Sequence, residues 1–401
     1  METRRRIANG AIAVLAQSGV PGLTHRAVVR ACGASLAATT YHFDTKADML
    51  AEASRLLLGG YLDAFSRLEA RMAAGGETDL RCLDDLVGRV VGNAIGRERT
   101  RSIAWCRIML HGGRSAGGRR LAQDWYGRLS AIWHSIAGRM EPNPDRQDVD
   151  AAIDLVVGLT FLLHPLDIDA ATARDLFAGR TGLAQLDAGT GAQGAQRPLP
   201  PADIARHAQA RARIVQATID ILVEDGAEGV SYRAVAERLG MARSGPSYYF
   251  PTIAGLLETA QTALFDRAKA RYRAGIGAAS PRDRDEDHLV DLTTAIFFRE
   301  AMEFASENLG YYSVWLSAAQ NPTLRAAVLS ALLDQGRAWE RRLAALPGAR
   351  APRPGAALRL QALFVGKLIR AIVGGCDLDA LANARGDFAA ALRDARREAS
   401  Q

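Results

Sequence analysis

The side chains best suited to chemistry stand at matching positions in two distant segments of the chain. Arg26 and Tyr41 in the first segment recur as Arg233 and Tyr248 in the second. Guanidinium and phenol groups donate hydrogen bonds to anionic oxygens. The sequence shows no nucleophile elbow, no cluster of metal ligands and no phosphate-binding glycine loop in a strand context. It therefore favours recognition over catalysis and calls for neither a metal nor a cofactor.

These residues belong to an internal repeat. Residues 4–43 align without a gap on residues 211–250, and about thirteen of the forty positions are identical. A period near 207 residues is too long for a solenoid and indicates duplication of a whole domain. The 401 residues leave room for two copies of about 200 residues, each able to bury its own core.

The composition favours an all-α fold, because Ala, Leu and Arg are strong helix formers and aromatic residues make up only 6% of the chain. The formal net charge of +6 is compatible with a nucleic-acid partner. Residues 1–50 carry six basic and three acidic side chains, whereas residues 206–257 carry six and five. The two repeats are therefore electrostatically unequal, with net charges of +3 and +1.

Each repeat is predicted to begin with three helices. In the first repeat the opening helix ends near Gly19, and Thr24 can cap a second helix over residues 25–32. Gly33 suits the left-handed conformation that ends a helix, and Ser35 can cap a third. Two short helices joined by a glycine-containing turn match the DNA-reading helix-turn-helix. A plain helical hairpin has the same spacing, so both interpretations stay open at this point.

The first repeat resembles the TetR family of bacterial transcriptional regulators. The resemblance is carried by residues 24–35, by Thr40 to Phe43 and by residues 45–50. It implies a three-helix DNA-binding domain followed by a helical domain that binds a small effector and dimerises through two long C-terminal helices. Two such copies in one chain imply an intrachain pseudo-dimer, to which further homodimerisation can be added.

The chain is accordingly expected to contain five parts. These are a first helix-turn-helix domain, a first helical ligand-binding and dimerisation domain, a linker rich in Gly, Ala, Gln and Pro, a second helix-turn-helix domain and a second helical domain. Their predicted boundaries are 1–46, 47–185, 186–205, 206–253 and 254–401.

The resemblance implies contacts with double-stranded operator DNA around both third helices, with phosphates, groove edges and sugars sharing the contacts. In the first copy the implied residues are Thr24, Arg26, Ser35, Leu36, Ala37, Ala38, Thr40, Tyr41, His42 and Lys46. In the second copy they are Ser231, Arg233, Arg243, Ser244, Gly245, Ser247, Tyr248 and Tyr249.

The second copy departs from the family pattern at two positions. Ile253 replaces the lysine found at Lys46, and Pro246 lies inside the recognition segment. Proline is tolerated only in the first turn of a helix, so Ser244 is expected to become the N-cap and to start the third helix about two residues late. The second motif is either a weaker DNA reader or a motif kept only for folding.

Aromatic and sulfur-containing side chains in the helical domains either form the core or line an apolar effector cavity. The candidate ligand-binding residues are Trp105, Met109, Trp125, Trp133, Phe161, Phe297, Phe298, Phe304, Tyr311, Tyr312, Trp315 and Phe364. The helix pairs 118–140 with 147–164 and 322–345 with 355–374 resemble dimerisation helices. They are expected to pack as one four-helix bundle, with Gly158 and Gly366 allowing close approach.

The remaining sequence features suggest a cytoplasmic location. Cys32, Cys82, Cys106 and Cys376 have spacings suited neither to zinc nor to a disulfide framework. No signal-peptide core and no membrane-spanning apolar run are found. The basic residues 4–6 are either an arm along the DNA phosphates or a solvated terminus.

The leading hypothesis is a DNA-binding transcriptional regulator, a repressor released by an unknown small-molecule effector. It would bind an operator with two unequal half-sites as an intrachain pseudo-dimer, with no membrane partner. The alternative is a helical ligand-binding or protein-interaction scaffold whose DNA binding is weakened, above all in the second copy. An enzyme is not expected.

Overall fold

The computed structural model describes residues 2–75, 79–141, 143–186, 201–277, 285–347, 352–375 and 378–396. Over these ranges the chain forms eighteen α-helices and no strand, so the predicted all-α fold is confirmed. Short 3-10 turns at 164–166, 183–185 and 227–229 complete the regular structure.

The described helices fall into two groups of nine. The first group comprises α1 (Glu2–Gly22), α2 (His25–Cys32), α3 (Leu36–His42), α4 (Lys46–Ala73), α5 (Leu83–Ile95), α6 (Arg99–Gly112), α7 (Ala116–Met140), α8 (Arg146–Leu163) and α9 (Ala170–Phe177). The second group comprises α10 (Pro201–Asp225), α11 (Tyr232–Leu239), α12 (Gly245–Tyr249), α13 (Ile253–Gly277), α14 (Glu286–Met302), α15 (Ala305–Ala318), α16 (Pro322–Ala344), α17 (Ala356–Gly374) and α18 (Leu378–Arg396).

The segment predicted as a linker, 186–205, overlaps the start of the second group. Residues 187–200 lie outside the described residues, and α10 already begins at Pro201. Proline suits this place because the first turn of a helix does not use its own N–H groups. The helical structure of the second group therefore starts inside the range assigned to the linker.

Helices α8 and α17 cross in direct backbone contact. A Cβ on Gly158 would lie 1.7 Å from the carbonyl oxygen of Ala362, and a Cβ on Gly366 would lie 1.7 Å from that of Asp154. Only glycine allows this approach on either side. Helix α7 packs on α8 and α17, whereas α16 makes its main contacts with α13, α15 and α17. The four helices therefore do not form the expected bundle. Helices α8 and α17 cross each other, α7 packs on both of them, and α16 packs on α17.

A second contact joins the two groups near their first helices. Arg107 on α6 forms an ion pair with Glu228 at 3.1 Å, and the Arg107 side chain is only 5% exposed. Arg114 donates hydrogen bonds to the carbonyl oxygens of Leu222 and Val223, both at 3.2 Å. Buried apolar residues from both groups form one continuous cluster. The core is thus shared, although the sequence suggested a separate core for each copy.

One described segment, Arg146–Leu166, is long and apolar enough to span a membrane, with a mean hydropathy of 1.6. Within the fold 83% of its apolar window is buried. It includes α8, whose Asp154 is 1% exposed and lies among the helices of the shared core. The segment therefore has the character of a core helix. Cys32, Cys82 and Cys106 are free thiols, and Cys376 lies outside the described residues.

Candidate nucleic-acid interface and ligand cavity

Side-chain caps and one glycine shape the first helix-turn-helix. Thr24 Oγ1 accepts a hydrogen bond from the backbone N–H of Ala27 at 3.1 Å, and Ser35 Oγ accepts one from Ala38 at 3.0 Å. Gly33 ends α2 with a φ of 65°, a left-handed conformation that is unstrained for glycine. The predicted caps, and the predicted second helix over residues 25–32, are confirmed.

Large hydrophobic side chains on the two third helices face solvent. Tyr41 is 84% exposed and Leu36 46% exposed on α3, and Tyr248 is 70% exposed on α12. Among the described residues only Met302 is a further large hydrophobic side chain with comparable exposure. Apolar surface concentrated in this way marks a binding surface. Here it coincides with the helices predicted to read DNA.

The other predicted residues of α3 divide between solvent and the helix itself. Ala37 and Thr40 are exposed, whereas Ala38 and His42 are half-buried. The Thr40 hydroxyl donates to the carbonyl oxygens of Leu36 and Ala37 at 3.2 and 3.1 Å, so its proton is already engaged. The His42 ring packs edge-on against Tyr41, with 5.2 Å between the ring centroids.

Lys46 lies at the start of α4, next to a strong cap. Thr45 and Asp48 form a reciprocal capping box that fixes the first turn of α4. Lys46 Nζ approaches the carbonyl oxygen of Pro21 at 3.5 Å, and partial burial lowers the pKa of its ammonium group. The residue as a whole remains exposed, so its amine is free to turn towards an anion.

The arginine at the start of the repeat is structural in both halves. Arg4 donates to the carbonyl oxygen of His42 at 3.4 Å and lies 4.8 Å from the Phe43 ring centroid. Arg211 repeats this arrangement with Tyr249 O at 2.6 Å and with the Phe250 ring at 4.1 Å. The basic residues 4–6 lie within α1 and are exposed, so their charges are solvated and are carried by a helix.

The second helix-turn-helix has a shortened third helix. Helix α12 contains five residues, and Pro246 lies buried in its first turn, as its chemistry requires. Ser244 occupies the N-cap position, as expected, but its side chain makes no capping hydrogen bond. Its carbonyl oxygen instead accepts a hydrogen bond from the Ser247 hydroxyl at 2.9 Å. Gly245 is half-buried and Arg243 is exposed.

The second helices differ in how their charges are used. Ser231 caps α11 through the backbone N–H of Ala234 at 3.1 Å, as Thr24 caps α2. Arg233, however, is paired with Glu237 at 2.7 Å. Its counterpart Arg26 is exposed, and no ion pair to it is found within the described ranges. The sequence alone did not reveal that Arg233 is neutralised, although the i, i+4 spacing to Glu237 was a usable signal.

A ligand-sized cavity of about 280 Å³ opens between α13, α15, α16 and α17. Of the predicted ligand-binding residues, Tyr311, Tyr312 and Phe364 line it. Phe297 and Trp315 are instead buried in the core. The cavity is also lined by residues that the aromatic pattern did not point to, including Phe265, Lys269, Arg271, Asp334, Trp339 and Gln361.

Two more of the predicted aromatics pack beside the cavity without lining it. Arg271 lies 3.9 Å from the centroid of the Phe304 ring, and the Phe298 ring packs at 6.0 Å from that of Phe297. The cavity wall therefore combines aromatic and aliphatic side chains with polar and charged ones, several of them on α13 and α16, which no aromatic count could reveal.

The candidates in the first half pack together in the core. The ring centroids of Trp105 and Trp125 are 5.8 Å apart, and that of Phe161 lies 6.4 Å from Trp105. Met109 and Trp133 are 1% and 2% exposed. None of these five side chains lines one of the three described cavities.

Comparison with known proteins bears on the N-terminal segment. The sequence profile for "Bacterial regulatory proteins, tetR family" matches residues 7–53. A solved structure titled "Crystal structure of multidrug binding protein EbrR complexed with imidazole" aligns with 28% identity over 44% of this chain and 93% of its own, at a TM-score of 0.31. No curated protein matches the chain significantly. Residues 7–53, which hold most of α1, all of α2 and α3 and the start of α4, therefore carry a tetR-family regulator domain.

Proposed function

We propose that the chain is a DNA-binding transcriptional regulator whose two halves read unequal half-sites of one operator. The exposed tyrosines at corresponding places on α3 and α12 carry this proposal. Tyr41 and Tyr248 are 84% and 70% exposed, in a fold that otherwise buries nearly all its large hydrophobic side chains. Phenol groups at the end of a recognition helix can contact the sugar-phosphate backbone, while the preceding residues face the major groove.

Tandem duplication is supported by backbone detail as well as by sequence. The two groups of nine helices follow in the same order, and the turn glycines correspond. Gly19 and Gly226 have φ values of 62° and 81°, and Gly33 and Gly240 have values of 65° and 62°. Glycines with positive φ at two corresponding places favour descent from one ancestral domain, because each fixes a turn that other residues strain to adopt.

The charges at the α8–α17 crossing favour pairing within one chain. Asp154 on α8 pairs with Lys367 at 3.3 Å and with Arg370 at 2.7 Å, both on α17. When the two halves are aligned on Gly158 and Gly366, Asp154 corresponds to Ala362 in the second half. Lys367 and Arg370 correspond to leucines in the first half. If two first halves paired, they would bury two Asp154 carboxylates without these cations. A buried charge that has lost its partner costs about 3 to 5 kcal/mol.

Coupling to DNA runs through α15, which has cavity residues on one side and α10 on the other. Asn308, Tyr311 and Tyr312 line the cavity. Ser313 Oγ accepts a hydrogen bond from the backbone N–H of Ala227 at 2.9 Å, just before α11. A ligand that moved α15 would therefore shift the second helix-turn-helix relative to the first. Such a ligand lowers operator affinity if it favours a spacing that no longer fits half-sites about 34 Å apart.

The test begins with DNA selected by the purified chain from a random pool. We expect a sequence with two different half-sites, bound by one chain per DNA molecule in a mass measurement. Tyr41→Ala and Tyr248→Ala should each weaken binding roughly tenfold, whereas Met302→Ala, which removes an exposed side chain away from both recognition helices, should leave it unchanged. A perfect palindrome, or two chains per operator, would contradict the pseudo-dimer.

A helical scaffold with weakened DNA binding is a second candidate for the second half. The short α12 and the Arg233–Glu237 pair at 2.7 Å favour it. The two functions differ in their salt dependence, because each phosphate contact contributes about −0.9 to the slope of log affinity against log salt concentration. A slope unaffected by charge substitutions in α11 to α13 would favour the scaffold.

A further inference from the structure

The two halves fill equivalent space differently. Aligning Trp133 with Trp339 matches most of the buried positions of α7 to buried positions of α16 and places Trp125 at Ala331. Continuing the ungapped repeat from Thr45 and Thr252 into the next helix places Tyr61 at Ala268. The first half therefore holds an indole and a phenol where the second half has two methyl groups.

The large pair in the first half is packed as a solid core. The ring of Tyr61 lies edge-on to Trp125, with 5.9 Å between centroids, and Trp125 is 1% exposed. In the second half Ala268 is instead part of the wall of the 280 Å³ cavity. Deleting two aromatic rings from a close-packed core opens a void unless the surrounding helices collapse. The void in the second half has stayed open.

We propose that the chain has one effector site, in the second half, and that it takes a flat aromatic molecule that carries an N–H or O–H donor and no positive charge. This proposal names the class of effector for the proposed regulator. It rests on that proposed function only where it predicts an effect of the ligand on operator binding. The aromatic character follows from the rings of Phe265, Trp339 and Phe364, which line the cavity together with Tyr312.

The exclusion of cations follows from the charges of the wall. Four basic side chains line the cavity against two acidic ones, namely Lys269, Arg271, Arg341 and Arg342 against Glu307 and Asp334. Arg271 binds Glu300 at 2.9 Å and Glu307 at 2.9 Å, and Lys269 is paired with Asp334. A cationic ligand would have to break one of these pairs or face an excess of positive charge, and either outcome opposes binding.

The donor follows from Gln361. Its side chain is 3% exposed and lines the cavity, and its Nε2 donates to Gln335 Oε1. Gln361 Oε1 has no hydrogen-bond partner in the described structure. A buried acceptor without a partner is costly, and a ligand donor relieves that cost. The cavity therefore discriminates between molecules of equal shape according to whether they carry a donor.

The site is also joined to the first half by aromatic rings packed edge to face. Tyr312, on the cavity wall, packs against Phe161 with 6.0 Å between ring centroids, and Phe161 lies 6.4 Å from Trp105. A ligand that shifts Tyr312 therefore presses on the core of the other half as well as on α15. One bound molecule can thus act on both helix-turn-helix motifs.

The test uses the full chain and two fluorescent probes with the same ring system, 2-naphthol and 2-methoxynaphthalene, in which a methyl group replaces the hydrogen of the O–H donor. We expect 2-naphthol to bind saturably at one site per chain, roughly threefold to tenfold more tightly than the methoxy compound. Gln361→Met should remove that preference. Two sites per chain, no saturable binding or an unchanged preference in Gln361→Met would overturn the proposal.

Exchange of the matched residues locates the site. Ala268→Tyr should abolish binding of 2-naphthol, and Tyr61→Ala combined with Trp125→Ala should create a second site. Thermal unfolding checks that each variant is folded, and the Gln361→Met comparison stands if either exchange is not. Operator affinity is measured separately. Probe binding without operator binding contradicts only the regulator function, whereas operator binding without a probe site contradicts only this inference.

Discussion

The two helix-turn-helix motifs share the caps of their second helices and their turn glycines but differ in unpaired charge. Thr24 and Ser231 cap the second helices in the same way, at 3.1 Å in both. Helix α2 presents Arg26 and Arg30 to solvent, whereas α11 has Glu237 at the place of Arg30 and pairs it with Arg233. The two motifs therefore share the residues that build them, and Tyr41 and Tyr248 as well, but differ in the charge that their second helices present to solvent.

The helical regions differ in a complementary way. The first half contributes the buried Asp154 at the α8–α17 crossing and a solid aromatic core, and the second contributes the two bases that pair with Asp154 and a cavity. Each half therefore lacks something that the other supplies. A homodimer cannot divide these tasks, because both of its subunits carry the same residues. Two unlike halves in one chain can divide them.

The largest expected effect is at the glycine crossing. Gly158→Leu would drive a side chain into the backbone of Ala362, which a Cβ alone would approach to 1.7 Å. We expect thermal denaturation to show either a loss of cooperative unfolding or a large drop in melting temperature. Gly138→Ala is the matched control, since nothing lies within 4 Å of a Cβ at this exposed position on α7. It should stabilise the chain by up to about 1 kcal/mol. Equal effects of the two variants would contradict the close crossing.

Removing the base from the crossing should be the next largest effect. Lys367→Met leaves Asp387 and Asp154 buried with one cation fewer, since Lys367 pairs with both. The free energy of unfolding should fall by about 3 kcal/mol, as measured by urea denaturation. Leu159→Met, at the corresponding place on α8, should cost less than about 1.5 kcal/mol. A Lys367→Met variant as stable as the parent chain would remove the charge argument for intrachain pairing.

A buried histidine distinguishes the halves by pH. His164 is fully buried against Ser102 Oγ at 2.9 Å, and burial lowers its pKa to about 3. The corresponding residue in the second half is Ile372. In the unfolded chain the His164 imidazole is protonated near pH 6.5, but in the folded chain only near pH 3. The folded state therefore loses stability as the pH falls between these two values.

The free energy of unfolding should fall by about 2 kcal/mol between pH 7.5 and pH 5, because pH 5 lies some 1.5 units below the pKa of the histidine in the unfolded chain. Denaturant titrations of the parent chain and of His164→Ile at both pH values measure it. The isoleucine variant should lose less stability than the parent by that amount. Parallel losses in the two proteins would mean that His164 is protonated in the folded state.

The sequence predicts the helices and their caps well, because these depend on neighbouring residues. Thr24, Gly33 and Ser35 act locally, and Pro246 could be assigned to a first turn from its chemistry alone. The cavity was not predictable from the aromatic count. Whether a ring such as Trp125 fills space or lines it depends on Tyr61, which is 64 positions away in sequence. That distinction became visible only when the two halves were compared position by position.

The pairing of charges was hidden for the same reason. Asp154 and Lys367 lie on helices that are 213 residues apart in sequence, and each looks like an isolated charge in an apolar helix. The signal was present as a difference between aligned helices, since Leu159 stands where the second half has Lys367. A buried charge that is present in only one of the two copies therefore indicates a partner in the other copy.

The smallest effect tests whether the second motif touches DNA. Thr45 and Thr252 cap corresponding helices, through the backbone N–H groups of Asp48 at 3.1 Å and Gly255 at 3.0 Å. The next residue is Lys46 in one half and Ile253 in the other. Lys46→Ile should lower operator affinity several-fold and reduce the magnitude of the salt slope by about 0.9. Ile253→Lys should do the opposite, because it places an ammonium group at the equivalent cap.

The double exchange Lys46→Ile with Ile253→Lys should restore the salt slope of the parent chain, since the number of phosphate contacts is the same. Ile253→Met is the control and should leave the slope unchanged. If Ile253→Lys also leaves the slope unchanged while Lys46→Ile reduces it, the second motif lies away from the phosphates. The inequality of the two halves would then be complete, with one half bound to DNA and the other devoted to the ligand.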